Sequence, residues 1–189
     1  MRWGPVLPVA CIVMLLGGSL SGQTRDIDGR PIAPFQPAGK ANVLLFVQTD
    51  CPISNSYAPE IQRICKMYES RGVGCSLAYE DVRVDAAAVR KHIKDFSYTG
   101  IAATIDTSRA LADRARATIT PTAVVVDGSG TVRYRGRIDN FYASLGKPRQ
   151  QVTEHDLVDA LDAILAGKPV ARPETEALGC FITRPQLKR

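Results

Sequence analysis

The sequence predicts an α/β protein built on a mixed central sheet. Apolar runs of strand length at Val43–Val47, Val73–Tyr79 and Ala123–Val126 alternate with segments whose apolar residues recur every three or four positions. Such alternation implies helices layered against a partly parallel sheet. A turn signature, Asp127-Gly128-Ser129-Gly130, then joins two late runs as a hairpin and adds an antiparallel edge.

The first 22 residues differ in kind from the rest. Arg2 supplies a positive start, Val6 to Leu20 an apolar core, and Ser19-Leu20-Ser21-Gly22 small residues for cleavage. This is the pattern of a secretory signal peptide, so the mature chain is expected to be exported, periplasmic or secreted. A membrane anchor is the competing reading. The apolar stretch is short against the roughly 20 residues of a span, and Pro8 and Gly17-Gly18 interrupt it, so no stable span is expected after cleavage. Too little apolar sequence precedes Cys11 for it to read as a lipid-attachment site.

Residues 23–40 form an extension rich in Gly and Pro, with Asp28-Gly29 as a tight hairpin turn. The central strand is expected at Asn42–Gln48. A helix from Pro52 to Glu69 follows, with Tyr57, Ile61, Ile64, Cys65 and Tyr68 on its apolar face. Pro59 lies inside that helix and should kink it. Val73–Tyr79 is the second strand. Asp85 caps a helix that turns Val89, Ile93 and Phe96 inward. Ala102–Ile105 is a short strand, and Ser108–Ala117 a short helix with Leu111 inward. The hairpin strands are Ala123–Val126 and Thr131–Arg137, and Ile138–Gln151 reads as an exposed loop. Thr153 caps the last helix, which buries Leu157, Leu161, Ile164 and Leu165 and stops at Gly167. Residues 41–168 thus read as one domain, and 169–189 as a tail without periodicity that carries Cys180.

The composition narrows the partners. A chain of 189 residues that is 45% hydrophobic suits one domain with a proper core. Its formal charge of +5 is spread along the chain with no basic stripe interleaved with aromatics, so nucleic acid is not an expected partner. Beyond the leader the cysteines are Cys51, Cys65, Cys75 and Cys180, an even set that suits disulfides in an oxidising compartment.

The chemistry centres on Cys51. It falls where the central strand hands over to a helix, with Pro52 suited to the first helical turn. Free N–H groups at a helix start favour an anion, and the thiolate is the nucleophilic form of cysteine. The carboxylate of Asp50, next in sequence, acts against that ionisation.

Three features together resemble the thioredoxin-fold superfamily, in its redoxin and peroxiredoxin-like branch. A strand ends in a cysteine that opens a helix, with Phe46 before it. Ala58-Pro59 stands where thioredoxins carry a helix-kinking proline. Ile119-Thr120-Pro121-Thr122 runs straight into an apolar strand and a hairpin. The resemblance covers Asn42 to Ala166 and implies a three-layer α/β/α sandwich. It implies a cis peptide at Pro121, beside the active cysteine, with the Thr120 backbone available to pair with a bound thiol substrate. It also places Thr49, Pro52, Ser54, Thr120 and Pro121 around the substrate groove.

Departures from the family pattern bear on mechanism. Ser54 stands where thioredoxins have a second thiol, and a hydroxyl cannot resolve a mixed disulfide. Asp50 replaces the usual Trp, and Leu45 the usual buried acid. The peroxiredoxin pattern Pro-x-x-x-Thr-x-x-Cys finds Leu44 and Gln48 at its Pro and Thr, with Thr49 one residue late.

Spacing constrains the cysteines. Cys65 follows Cys51 on one expected helix, about 21 Å away at about 1.5 Å per residue, far beyond the ~7 Å that a disulfide spans. Cys65 and Cys75, at adjoining ends of a helix and the returning strand, form either a structural bridge or a pair of buried free thiols. Cys180 is then the remaining partner for Cys51. It acts as a resolving thiol, stays unpaired, or awaits a partner protein. His92 and His155 do not sit at ligand spacing from a cysteine, and Asn55 stands where a copper-chaperone motif needs one, so no metal or other cofactor is expected. Arg133, Arg135 and Arg137 alternate along one strand as a solvated face.

The leading expectation is an exported thiol–disulfide oxidoreductase with Cys51 as nucleophile. It acts on a protein disulfide or peroxide and is reset by Cys180 or an external thiol reductant. The alternatives are a peroxiredoxin-like thiol peroxidase, in which Cys51 becomes a sulfenic acid, and a redox-inert module that holds peptide in the groove beside Pro121.

Overall fold

The computed structural model describes residues 24–81 and 83–183, together with Met1. The expected signal peptide lies outside the described residues. Among those residues, no helix is long and apolar enough to cross a membrane.

Five strands form the central sheet: β1 (Ala41–Val47), β2 (Val73–Tyr79), β3 (Ala102–Ile105), β5 (Thr122–Asp127) and β6 (Val132–Gly136). A two-residue strand, β4 (Ile119–Thr120), precedes β5 outside the sheet. The spatial order is β3-β2-β1-β5-β6, with β1, β2 and β3 parallel and β5 and β6 antiparallel to their neighbours. β1 is central and buried on both faces, which is why its sequence is continuously apolar rather than alternating. Val43, Leu45 and Val47 face one core, and Leu44 and Phe46 face the other. This is the layered mixed sheet that the sequence predicts.

The first core is roofed by α2 (Ala58–Glu69), α3 (Ala86–Asp95) and α5 (Asp156–Leu165), through Ile61, Ile64, Tyr68, Val89, Leu157 and Leu161. The second is closed by α4 (Ala110–Ala115) through Leu111, Ala112 and Ala115, with Phe35 and Ile182 reaching in from the two ends of the chain. The Arg114 guanidinium lies 4.2 Å above the Phe35 ring. The extension covers the β3 edge, where the Ile27 N–H donates to the Ala103 carbonyl at 2.8 Å and the Thr104 hydroxyl to the Arg25 carbonyl at 2.7 Å. Covered edges do not template further strands.

Asp85 caps α3, its carboxylate accepting the Ala88 N–H at 2.8 Å. Asp85→Ala should cost about 1 kcal/mol in urea unfolding. Cys65 and Cys75 are joined in a disulfide with Cα atoms 5.9 Å apart, tying α2 to β2. Replacing both with serine should cost about 3 kcal/mol by the loop-closure estimate, read as a lower urea midpoint with an intact helical circular dichroism spectrum.

Four expectations give way. The single helix from Pro52 to Glu69 is two, α1 (Pro52–Ser56) and α2, interrupted at Tyr57. Pro59 is the cause, since it offers no N–H and its ring crowds the carbonyl four residues back. The stretch Ile138–Gln151 is not simply an exposed loop. Ile138, Asp139 and Asn140 are buried, and β7 (Tyr142–Ser144) pairs with β8 (Lys147–Pro148). Its polar residues find partners far off in sequence. The Tyr57 hydroxyl donates to Asp139 at 2.8 Å, and the Asn140 side chain accepts the Thr153 N–H at 3.0 Å. Thr153 therefore does not cap α5. Its hydroxyl accepts from Asn140 at 2.8 Å, and the cap position falls to His155, whose side chain makes no capping bond.

Two of the three arginines also leave the expected solvated face, while Arg133 stays half-exposed and pairs with Asp127 at 3.1 Å. Arg135 reaches Glu174 at 3.0 Å, and Arg137 reaches buried Asp156 at 2.7 Å and also Glu154. At Arg135 the cause is the tail, which returns along β6, and at Arg137 it is the start of α5. The Arg135 N–H donates to the Pro173 carbonyl at 2.9 Å, and the Thr175 N–H donates back to the Arg135 carbonyl at 3.0 Å. Thr175 packs so close to Gly136 that a Cβ there would fall 2.1 Å from its hydroxyl, so only glycine fits.

Candidate active site

β1 delivers the chain to a short turn, Gln48-Thr49-Asp50, after which Cys51 takes the N-cap position of α1 in extended backbone. Its Sγ accepts the Ser54 N–H at 3.4 Å. The residue is fully buried. β5 antiparallel to β1 brings the preceding segment to the same end of the sheet. There the Thr120–Pro121 peptide is cis, and the Thr120 carbonyl oxygen lies 3.5 Å from the Cys51 Sγ.

The tail completes the site. Cys180 and Phe181 form β9, antiparallel to β4, with Thr120 opposite Cys180 and Ile119 opposite Phe181. Cys180 is bonded to Cys51, Cα to Cα 6.0 Å, across 129 positions of sequence. The Ile182 N–H donates to the Thr118 carbonyl at 2.9 Å, and the Thr120 hydroxyl to the Cys180 carbonyl at 3.4 Å. Beyond the strand, buried Arg109 donates to the carbonyls of Ile182 and Thr183 at 2.9 and 3.2 Å.

The other residues expected to line a groove have these surroundings. Pro52 is exposed and Thr49 half-buried. Ser54 is fully buried behind the sulfur, its hydroxyl accepting the Gln48 N–H at 3.4 Å. Thr120 is buried beneath the tail, its hydroxyl also within 3.3 Å of the Gln48 side-chain oxygen, Oε1. Asp50 is exposed and pairs with Arg83 at 3.8 Å, which itself binds Asp81 at 2.9 Å. That pairing partly offsets the repulsion Asp50 exerts on an ionised Cys51.

Two arrangements escaped the sequence reading. The first steadies the cysteine turn. Asn55 donates to the Thr49 carbonyl at 3.0 Å, and its own side-chain oxygen lies 2.9 Å from His92 Nε2. His92 Nδ1 lies 2.9 Å from the Tyr79 hydroxyl. With the Asn55 amide committed to Thr49, its oxygen takes the His92 Nε2–H, and the Tyr79 hydroxyl donates to Nδ1. The ring is then neutral, in keeping with burial that lowers its pKa. The second is a buried acid, Glu80, just past the end of β2. Both its oxygens lack a hydrogen-bond partner, and burial, then the charge of Asp106, pushes its pKa up to about 9. Asp106 is itself spent accepting the Leu111 and Ala112 N–H groups at 2.7 and 3.0 Å. A glutamate directly after an apolar strand is visible in sequence, but its burial depends on α4 closing over it.

Among the described residues, no group of three or more His, Cys, Asp or Glu is placed to hold a metal. No protein-family model matches the chain, and no curated protein matches it. Solved structures do. An uncharacterized conserved protein from Geobacillus kaustophilus is 22% identical, with a TM-score of 0.75 over 88% of this chain and 89% of that one. A hypothetical protein from Sinorhizobium meliloti is 23% identical, with a TM-score of 0.72 over 85% and 88%. A secreted Mycobacterium tuberculosis disulfide oxidoreductase homologous to E. coli DsbE is 19% identical, with a TM-score of 0.53 over 78% and 96%. At such identities the likeness shows the fold.

Proposed function

We propose, from this thioredoxin fold, that the chain is an exported thiol–disulfide oxidoreductase in which Cys51 is the nucleophile and Cys180 its resolving thiol. The observation that carries the reading is the Cys51–Cys180 bond, set against the Thr120–Pro121 peptide. In the reduced protein the Cys51 thiolate attacks one sulfur of a substrate disulfide. A mixed disulfide forms, and the other substrate sulfur leaves as a thiolate with the electron pair. The Cys180 thiolate then attacks the Cys51 sulfur, closes the internal disulfide and releases the second substrate thiol. An external thiol reductant restores both cysteines. Cys180 thereby supplies the function for which Ser54 is unsuited.

The Ser54 N–H supports the Cys51 thiolate, and the Asn55–His92–Tyr79 chain holds the turn that carries it. Thr49, Pro52, Thr120 and Pro121 shape the groove. Export is supported by the pattern of residues 1–22, by cysteines paired in two disulfides, and by likeness to a secreted oxidoreductase.

The test is reduction of insulin by the mature chain in the presence of a dithiol reductant. The expected result is turnover well above that of the dithiol alone. No acceleration sinks the reading and favours a redox-inert module. Consumption of hydrogen peroxide without insulin reduction favours the thiol peroxidase instead.

A further inference from the structure

The tail does more at Cys51 than supply a sulfur. It lies along β4 as an added antiparallel strand, held by backbone pairing that any sequence can make. Selectivity then rests with the side chains, and the five positions around Cys180 meet very different surroundings. Leu178 lines a small cavity with Tyr57, Pro121, Ile138 and Tyr142. Gly179 is pressed against the strand. A Cβ there would fall 1.8 Å from the Thr120 carbonyl oxygen, 2.7 Å from its carbon and 3.2 Å from Pro121 Cδ. Two of those atoms are backbone and cannot swing aside. Phe181 is 76% exposed and meets no such restriction, whereas Ile182 is buried among the residues of the second core.

We infer that residues 178–182 are a tethered copy of the substrate, so that the β4 groove takes an extended cysteine segment with glycine immediately before the cysteine and apolar residues two positions to either side. The inference rests on the proposed role of Cys51 and names the substrate class for that site. The Thr120 carbonyl is the specificity determinant, because it excludes any side chain at the preceding position. Tethering keeps Cys180 at a high effective concentration, so its thiolate attacks the Cys51 sulfur of the mixed disulfide, closes the internal disulfide and expels the substrate segment as its thiolate.

The test uses the full mature chain carrying Cys180→Ser, with and without Gly179→Val. The added valine side chain cannot lie against Thr120, so it lifts the tail from the groove. Both forms are tested because either can keep the proposal answerable if the other folds poorly. The probes are three synthetic pentapeptides, Leu-Gly-Cys-Phe-Ile and its versions with Ala or Val in place of Gly, each linked through its cysteine to thionitrobenzoate. Cys51 attacks the peptide sulfur, forms the mixed disulfide and releases yellow thionitrobenzoate, which gives the rate. Each rate is divided by that of the same peptide with free glutathione, which removes intrinsic reactivity.

The glycine peptide should react at least about tenfold faster than the other two, as expected when a side chain is forced into an occupied space. Equal normalised rates for the three peptides, with ready reaction of Cys51 toward dithiobis-nitrobenzoate, overturn the inference and leave the thiol-exchange reading standing. A Cys51 inert to that reagent and to all three peptides overturns both.

Discussion

The Cys51→Ser variant should lose at least about a thousandfold of its insulin-reduction rate, because an alcohol neither ionises near neutral pH nor exchanges with a disulfide. The Cys65–Cys75 bridge is independent of the site, so the fold should persist, and an unchanged far-ultraviolet circular dichroism spectrum would show it. Cys180→Ser should behave differently. Cys51 still opens a substrate disulfide, but nothing internal closes the second step, so the mixed disulfide accumulates and can be isolated on a gel without reductant. A Cys51→Ser protein that kept more than about a tenth of the wild-type rate would place the nucleophile elsewhere.

The Glu80→Gln variant should be more stable than the wild type at pH 8, by about 2 kcal/mol or more. Glu80 is 2% exposed, and its folded pKa is pushed up to about 9 from an ordinary 4.5. Between those values the folded chain holds a proton that the unfolded chain has released. Stability is therefore full below about pH 4.5 and drains away as pH rises through about 9, by at most about 1.4 kcal/mol per pH unit from this group. Glutamine cannot ionise, so its contribution should not vary with pH. Urea unfolding at pH 5, 7 and 9 measures the difference. Parallel stability curves for the two proteins would refute the assignment of a neutral buried acid.

How far each feature was legible depended on the range of the forces behind it. The strands of the central sheet, the α3 cap at Asp85 and the hairpin at Asp127–Gly130 follow from neighbours within a few positions. Apolar period, turn chemistry and N-cap preference all act at that range. The break at Tyr57 was signalled by Pro59 as a kink, but that it would split the helix into two was not. The polar run after Ile138 misled because its partners, Tyr57 and Thr153, are remote in sequence or reached only through the fold. Arg135 in β6 and Arg137 just past it misled for the same reason, since Glu174 and Asp156 are supplied by the tail and by α5.

By itself the sequence determined a thiol at the end of a central apolar strand, a threonine-proline pair before another, and four cysteines beyond residue 22 that could pair. Tertiary structure alone decided that the tail becomes a strand on β4, that Gly179 fits against Thr120 because it lacks a side chain, and that Glu80 is sealed from water. Short-range backbone preferences are written residue by residue. A contact across 129 positions exists only once the sheet has brought its ends together, and no local pattern records it.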